Sequence, residues 1–198
     1  MRCLVVTAHP LPNSLCASLR DRVVETLHAA GHEVATEDLY AERFDPALSP
    51  AERGAYYAGG FPIDAIADQV ERLLAAEAIV LVFPTWWFGF PAMLKGWFDR
   101  VWAPGVAYDH ADDYGPIRPR LHGLRQVLVV TTLGSPWWVD RLLLRQPVRR
   151  VLGTAILGTC APRCRLRLCS LYRSERLGSA QVERFARRVE AQLRRWPV

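Results

Sequence analysis

Trp86, Trp87 and Phe88 stand in a row just beyond an unbroken apolar run, Ala78-Ile79-Val80-Leu81-Val82-Phe83, and Pro84. Three consecutive aromatic side chains are costly to leave in water unless something flat covers them, so their chemistry points to a planar ligand; a protein interface, or a loop folded back on the core, is the alternative. Two further segments carry groups that would complete such a site. His9-Pro10-Leu11-Pro12-Asn13 leads to Ser14, which can cap a helix. The free N–H groups of Leu15 and Cys16 would then favour a phosphate, to which His9 can add a hydrogen bond, although a capped helix with no ligand reads the same way. Thr131-Thr132-Leu133-Gly134 offers two hydroxyls and a glycine backbone suited to the edge of a heterocycle, and equally reads as a strand end and turn.

The elements that must position these groups follow from periodicity. Apolar runs over Arg2 to Thr7, Glu33 to Leu39, Ala78 to Phe83, Gln126 to Thr131 and Arg165 to Leu171 read as strands. Between them, helical spacing covers the segment opened by Ser14 and closed by Gly31, a short piece from Pro50 to Tyr57, Asp64 to Ala76, Pro91 to about Val101, Asp140 to Leu152, and Ser179 to Arg195. Strands and helices that alternate in this way predict an α/β three-layer sandwich, a five-stranded parallel sheet in the flavodoxin-like order 2-1-3-4-5 with helices on both faces. In that topology the loops after strands one, three and four converge on one edge, where ligands bind. Those loops are the three segments above.

Composition bounds the rest. The 198 residues suit a single domain, 1–198, with one substantial core. No apolar stretch approaches the roughly 18 residues of a membrane span, and the N-terminal run is too short for a signal-peptide core, so the expected compartment is the cytoplasm. Five cysteines without paired C-x-x-C spacing argue for buried thiols rather than a disulfide framework or a metal site. The net charge of +5 rests on arginine, since Lys95 is the only lysine, and gathers in 141–150, 163–167 and 184–195. No nucleic-acid reader motif accompanies it, so nucleic acid is not an expected partner. Lys95 and Arg100 flank the helix after the aromatic loop and read as salt-bridge or packing residues.

With these residues in hand the chain resembles the NAD(P)H:quinone oxidoreductase family of flavodoxin-fold flavoproteins. The resemblance is carried by Pro84-x-x-Trp87-Phe88-Gly89-x-Pro91-Ala92-x-Leu94-Lys95-Gly96-Trp97-Phe98-Asp99-Arg100. It is reinforced by His9-Pro10, Asp38-Leu39-Tyr40, Gly105-x-Ala107-Tyr108 and Thr131-Thr132-x-Gly134. It implies a tightly bound flavin, FMN or FAD, with its phosphates on His9, Ser14, Leu15 and Cys16. The ring would lie against the backbone of Thr85, Trp86, Trp87 and Phe88, with Thr131, Thr132, Leu133 and Gly134 on the other side. It further implies a homodimer in which Tyr108 and His110 of one copy close over the substrate of the other as catalytic residues.

The activity so implied is transfer of two electrons, as hydride, from NAD(P)H through the flavin to a quinone or similar acceptor. Reduction of azo or nitro aromatics, and a regulatory flavin-binding subunit in peripheral contact with a membrane transporter, are the alternatives. The sequence departs from the family after Thr-Thr-x-Gly: Ser135-Pro136-Trp137-Trp138-Val139-Asp140 replaces a glycine-rich segment leading to a tyrosine and a histidine that assist proton movement.

Overall fold

The computed structural model describes residues 1–111 and 115–197. Its strands are β1 (Arg2–Thr7), β2 (Glu33–Asp38), β3 (Ala78–Pro84), β4 (Tyr108–Asp109), β5 (Arg118–Pro119), β6 (Gln126–Leu133) and β7 (Arg165–Tyr172). Five of them form one parallel sheet in the order β2-β1-β3-β6-β7, which is the expected 2-1-3-4-5 counted along the sheet's own strands. The short antiparallel pair β4–β5 lies in a segment read from sequence as loop.

Strand alternation divides the core in two. Leu4, Val6, Ile79, Leu81, Phe83, Val127 and Val129 face one layer, packed against α3 (Ala67–Ala75) and α4 (Ala92–Val101). Cys3, Val5, Val80, Val82, Leu128 and Val130 face the other, against α1 (Leu15–Ala29) and the C-terminal helix Ser179–Leu193. Burial on both faces is why β3 is apolar at every position.

The helix expected over Asp140 to Leu152 is corrected. A π-helical turn at Val139–Leu143 stops at Arg145 and Gln146, both left-handed at φ 56° and 52°. A new helix then starts with Pro147, runs as α5 (Pro147–Arg150) into π-helical turns over Val151–Leu157, and ends as α6 (Gly158–Cys160). Pro147 is the physical reason: it cannot donate to a helix running through it, and it disfavours helical geometry in the residue before it.

The helix carrying the Lys-Gly-Trp motif is seated by three contacts. A Cβ on Gly96 would fall 2.2 Å from the carbonyl oxygen of Pro46, so only glycine lets α4 approach this segment. Trp97, fully buried, donates its indole N–H to Glu37 Oε1 at 2.7 Å, and Arg72 of α3 donates to Oε2 of the same carboxylate at 3.1 Å. Arg100 is buried on Glu52 of α2 (Pro50–Ala55), its Nε 2.8 Å from Oε1, and Glu52 in turn closes a capping box with Ser49. Lys95 pairs with Asp99 one turn on. Both cations of α4 are thus packing and ion-pair residues, as the sequence suggested.

Burial pushes the Glu37 carboxyl up to about 7 from 4.5, although Arg72 opposes the shift. A carboxyl raised on folding binds its proton more tightly in the folded state, so stability falls as pH rises from about 4.5 to about 7. The loss from this group is up to about 3 kcal/mol. Urea unfolding at pH 5 and pH 7.5 should therefore show a stability difference that shrinks in Glu37→Gln. In Gly96→Ala the gain in helix propensity is outweighed by the clash with Pro46. A loss of roughly 2 kcal/mol is expected, a fall in Tm of about 4–8 °C by calorimetry.

Candidate functional site

The candidate site hangs on the ends of three neighbouring strands. Thr7 lies opposite Val82, Ala8 donates to Val82 O at 3.1 Å, and Thr85 donates to Thr132 O at 2.9 Å, so the loops after β1, β3 and β6 leave the sheet side by side. The chain leaves β1 for one side of the sheet and reaches β3 on the other, and that reversal opens the crevice in which doubly wound sheets bind ligands.

In the first loop His9 Nδ1 lies 3.0 Å from the amide nitrogen of Leu11, which fixes the ring, and its centroid is 6.4 Å from that of Trp86. Ser14 caps α1, its hydroxyl accepting from Ala17 N at 3.1 Å. Leu15 and Cys16 have no intrahelical acceptor for their N–H groups, which makes this end of α1 a donor pair with the positive end of the helix dipole behind it. The Cys16 thiol itself is buried, 4.0 Å from Thr132 Oγ1, and burial pushes it up to about 11, so it stays protonated.

The second loop is a tight turn in which Gly89 donates to Trp86 O at 2.9 Å. Trp87 and Phe88 sit at its centre with φ of 50° and 58°. Two successive left-handed residues are the signature of a type I′ turn, where glycine or asparagine is the expected occupant, and each bulky residue there costs about 1–2 kcal/mol. Trp87 is 99% exposed, so nothing within the chain repays its conformation. The turn is anchored from behind by Phe90, whose ring lies 5.7 Å from Phe83 and 5.2 Å from Phe98.

In the third loop the two threonines point to opposite faces of the sheet, as consecutive strand residues must. Thr131 Oγ1 meets Thr85 Oγ1 at 2.7 Å, and Thr132 faces Cys16. Both side chains are buried. The loop therefore offers the open edge the backbone of Leu133 and Gly134 more than its hydroxyls. It also holds Ser135, whose buried Oγ has no partner among the described residues. Its place directly after Gly134 is the signal in the sequence that marks Ser135.

Tyr108 and His110 lie together. The His110 ring is 5.3 Å from Tyr108, 4.8 Å from Tyr57 and 6.4 Å from Tyr56, and Arg53 lies over the Tyr56 and Tyr57 rings. Burial, reinforced by the Tyr56 hydroxyl, raises the Tyr108 phenol far above its ordinary range and keeps it protonated. The His110 Nε2 is buried and has no partner among the described residues. Among the described residues no hydrogen bond or ring contact joins this cluster to the three loops. Tyr56 and Tyr57 carry no such signal in the sequence, since two adjacent tyrosines at the end of a short helix are too common a pattern to mark a site.

Comparison with known proteins places this geometry. A family model described as flavodoxin-like fold matches residues 1–160, and the chain belongs to that family. NAD(P)H dehydrogenase (quinone) 1 of Rattus norvegicus is 37% identical over 153 residues, 68% of this chain and 54% of the rat protein. The chain thus spans about half the length of the curated relatives it matches. The solved structure of NAD(P)H:quinone oxidoreductase from Methanothermobacter marburgensis superposes with a TM-score of 0.82 at 26% identity, covering 98% of this chain and 96% of that one. An FMN-dependent NADH-azoreductase from Bacillus anthracis str. Ames Ancestor, solved with FMN, gives a TM-score of 0.75 at 15% identity over 98% and 99%, a likeness of fold alone. The family resemblance drawn from the sequence is borne out.

Replacing Trp87 with asparagine, which tolerates the left-handed region, should relieve the turn and raise Tm by about 2–4 °C in a thermal melt of the ligand-free protein. A fall in Tm would show that the exposed indole contributes packing its 99% exposure does not reveal.

Proposed function

We propose that this chain is a single flavin-binding domain over 1–198 that passes two electrons from NAD(P)H to a quinone or similar small aromatic acceptor. The observation that carries the reading is the aromatic turn: two bulky residues held in a strained conformation at the switch-point edge, one of them bare. Strain of this kind persists where a binding site makes use of it. FMN, the flavin of the azoreductase that shares the fold, is the first candidate, with FAD the other.

The residues present fit such a group. The donor pair of Leu15 and Cys16, with Ser14 and His9 beside it, suits a phosphate. Trp86, Trp87 and Phe88 would form a wall that excludes water and keeps nicotinamide and acceptor parallel to it. The Ser135 Oγ, which has no partner among the described residues, and the backbone of Leu133 and Gly134 would orient the ring's polar edge. When bound, the flavin supplies the two-electron chemistry, accepting and returning hydride, and the protein supplies orientation and electrostatics.

In a homodimer, Tyr108 and His110 would reach the site from the other copy. That reading is supported by the absence, among the described residues, of any hydrogen bond or ring contact between them and the loops, and of any partner for the buried His110 nitrogen. Tyr108, held protonated, would act as a hydrogen-bond donor to the acceptor oxygen. The cytoplasm is the compartment this reading expects, and among the described residues no helix is long and apolar enough to cross a membrane.

The test is the visible absorbance of the flavin-saturated protein under anaerobic conditions. Added NADPH should bleach the flavin band within seconds and a water-soluble benzoquinone should restore it, after which chromatography of the released flavin distinguishes FMN from FAD. A band unmoved by NADPH and NADH would point to a regulatory flavin, and a protein that takes up no flavin would end the reading. Trp87→Asn should weaken flavin binding by about tenfold or more, the loss of one stacking contact in a closed site.

A further inference from the structure

Reduction of a quinone by hydride consumes one further proton: the hydride brings both electrons and the first proton, and the second oxygen takes the other. Tyr108 is held protonated, so it offers a hydrogen bond rather than that proton. A source has to be found elsewhere in the chain.

Behind the third loop the sheet carries a row of hydroxyls that reaches a buried carboxylate. Thr85, half-buried at the start of the aromatic turn, meets Thr131 at 2.7 Å. Thr131 is the register partner of Ser170 on β7, and partners in a parallel ladder project to the same face. The Ser170 side chain hydrogen-bonds the Tyr172 phenol two residues on, and that phenol donates to Asp140 Oδ2 at 2.7 Å. Thr131, Ser170 and Asp140 are buried, Tyr172 is half-buried, and exposed Arg141 donates its Nε–H to the Tyr172 oxygen at 3.3 Å. A polar row that is buried in its middle and open at both ends, to the site edge and to solvent, has the form of a conduit.

Thr85, Thr131, Ser170 and Asp140, with Gln146 and Arg149, line a small cavity of about 10 Å³. That is about the room one water needs, and a water there would bridge neighbouring hydroxyls that do not touch. Burial, reinforced by the Asp140 carboxyl, raises the Tyr172 phenol, so Tyr172 keeps its own proton and can act only by passing one on.

We propose that this row delivers the proton for acceptor reduction, with Asp140 as its reservoir; the proposal deepens the oxidoreductase reading and rests on it. Asp140 takes a proton from bulk water. That proton passes to the Tyr172 oxygen as the Tyr172 proton passes to Ser170, and the shift continues through Thr131 to Thr85, whose proton goes to the acceptor oxygen. Every hydroxyl ends with one proton, Asp140 returns to the carboxylate, and the net transfer is one proton from water to the reduced acceptor. No electron moves along the row.

The test is stopped-flow absorbance of the flavin-saturated protein, with the two halves of the cycle read apart. In Asp140→Asn and Ser170→Ala, bleaching by NADPH should keep the parent's rate, because hydride transfer takes up no proton, while reoxidation by a water-soluble benzoquinone should slow about tenfold or more. Ser170→Thr, which restores a hydroxyl, should recover the parent's reoxidation rate, and imidazole buffer should restore it in Asp140→Asn by supplying a diffusible acid. Flavin affinity, measured by fluorescence quenching, should be unchanged in all three variants. Reoxidation at the parent's rate in Asp140→Asn or Ser170→Ala would overturn the proposal. So would a slowing of both halves with a loss of flavin affinity, or the absence of rescue by Ser170→Thr and by imidazole, since these mark a merely structural network. A parent protein that NADPH does not bleach would remove the oxidoreductase reading and the proposal with it, whereas a parent that cycles beside unaffected variants would remove the proposal alone.

Discussion

The hydrogen-bonded register of β1, β3 and β6 is the constraint on which everything else depends. In a parallel ladder every strand delivers its carboxyl end to the same edge, and here the ladder continues past the strands through Ala8 N to Val82 O and Thr85 N to Thr132 O. Three loops distant in sequence are brought within side-chain reach. The evidence of that closeness is local: the 6.4 Å approach of His9 to Trp86, the Thr85–Thr131 hydroxyl pair, and Cys16 against Thr132. A slip of one residue between β3 and β6 would send Thr131 and Thr132 to the opposite faces and undo two of the three.

The same edge stores strain that has to be carried elsewhere. Trp87 and Phe88 hold left-handed backbone only because the turn is closed by Gly89 and backed by Phe90, wedged between Phe83 of the sheet and Phe98 of α4. That helix is in turn fixed by Gly96 against Pro46, Trp97 on Glu37, and Arg100 on Glu52. The long motif that joins the turn to α4 thus divides by task. Its first part faces the crevice, and its second part seats the helix that keeps the first part in place. A buried carboxylate such as Glu37 is an expensive way to do this, and its raised proton affinity is the measure of that cost.

Arginine does two different things in this chain. Where it meets carboxylates it ties helices together, as Arg22 does between α1 and the C-terminal helix and Arg72 between α3 and β2. On α5 and the turn before it, as at Arg163, Arg165 and Arg173, the guanidiniums form no ion pair among the described residues.

Much of this was legible in the chain itself. Period-two and fully apolar runs, caps and breakers located all five sheet strands and their order, because those signals are local and both faces of the sheet are buried. The three site loops followed from the order. What was not legible depended on contacts between distant residues. Pro147 was visible, yet an apolar spacing that continued across it favoured one helix over Asp140 to Leu152 where the fold makes two elements. The left-handed aromatics contradict every local preference, so only the packing of Phe90 behind them could reveal that turn. The hydroxyls of Thr131 and Thr132 looked available until the pleat turned one toward Thr85 and the other toward Cys16. Sequence by itself determined the layers, the strand order and the edge at which a ligand can lie, since these follow from periodicity and chain direction. Tertiary structure decided which atoms face that edge, because orientation is set by close packing among residues that the chain keeps far apart.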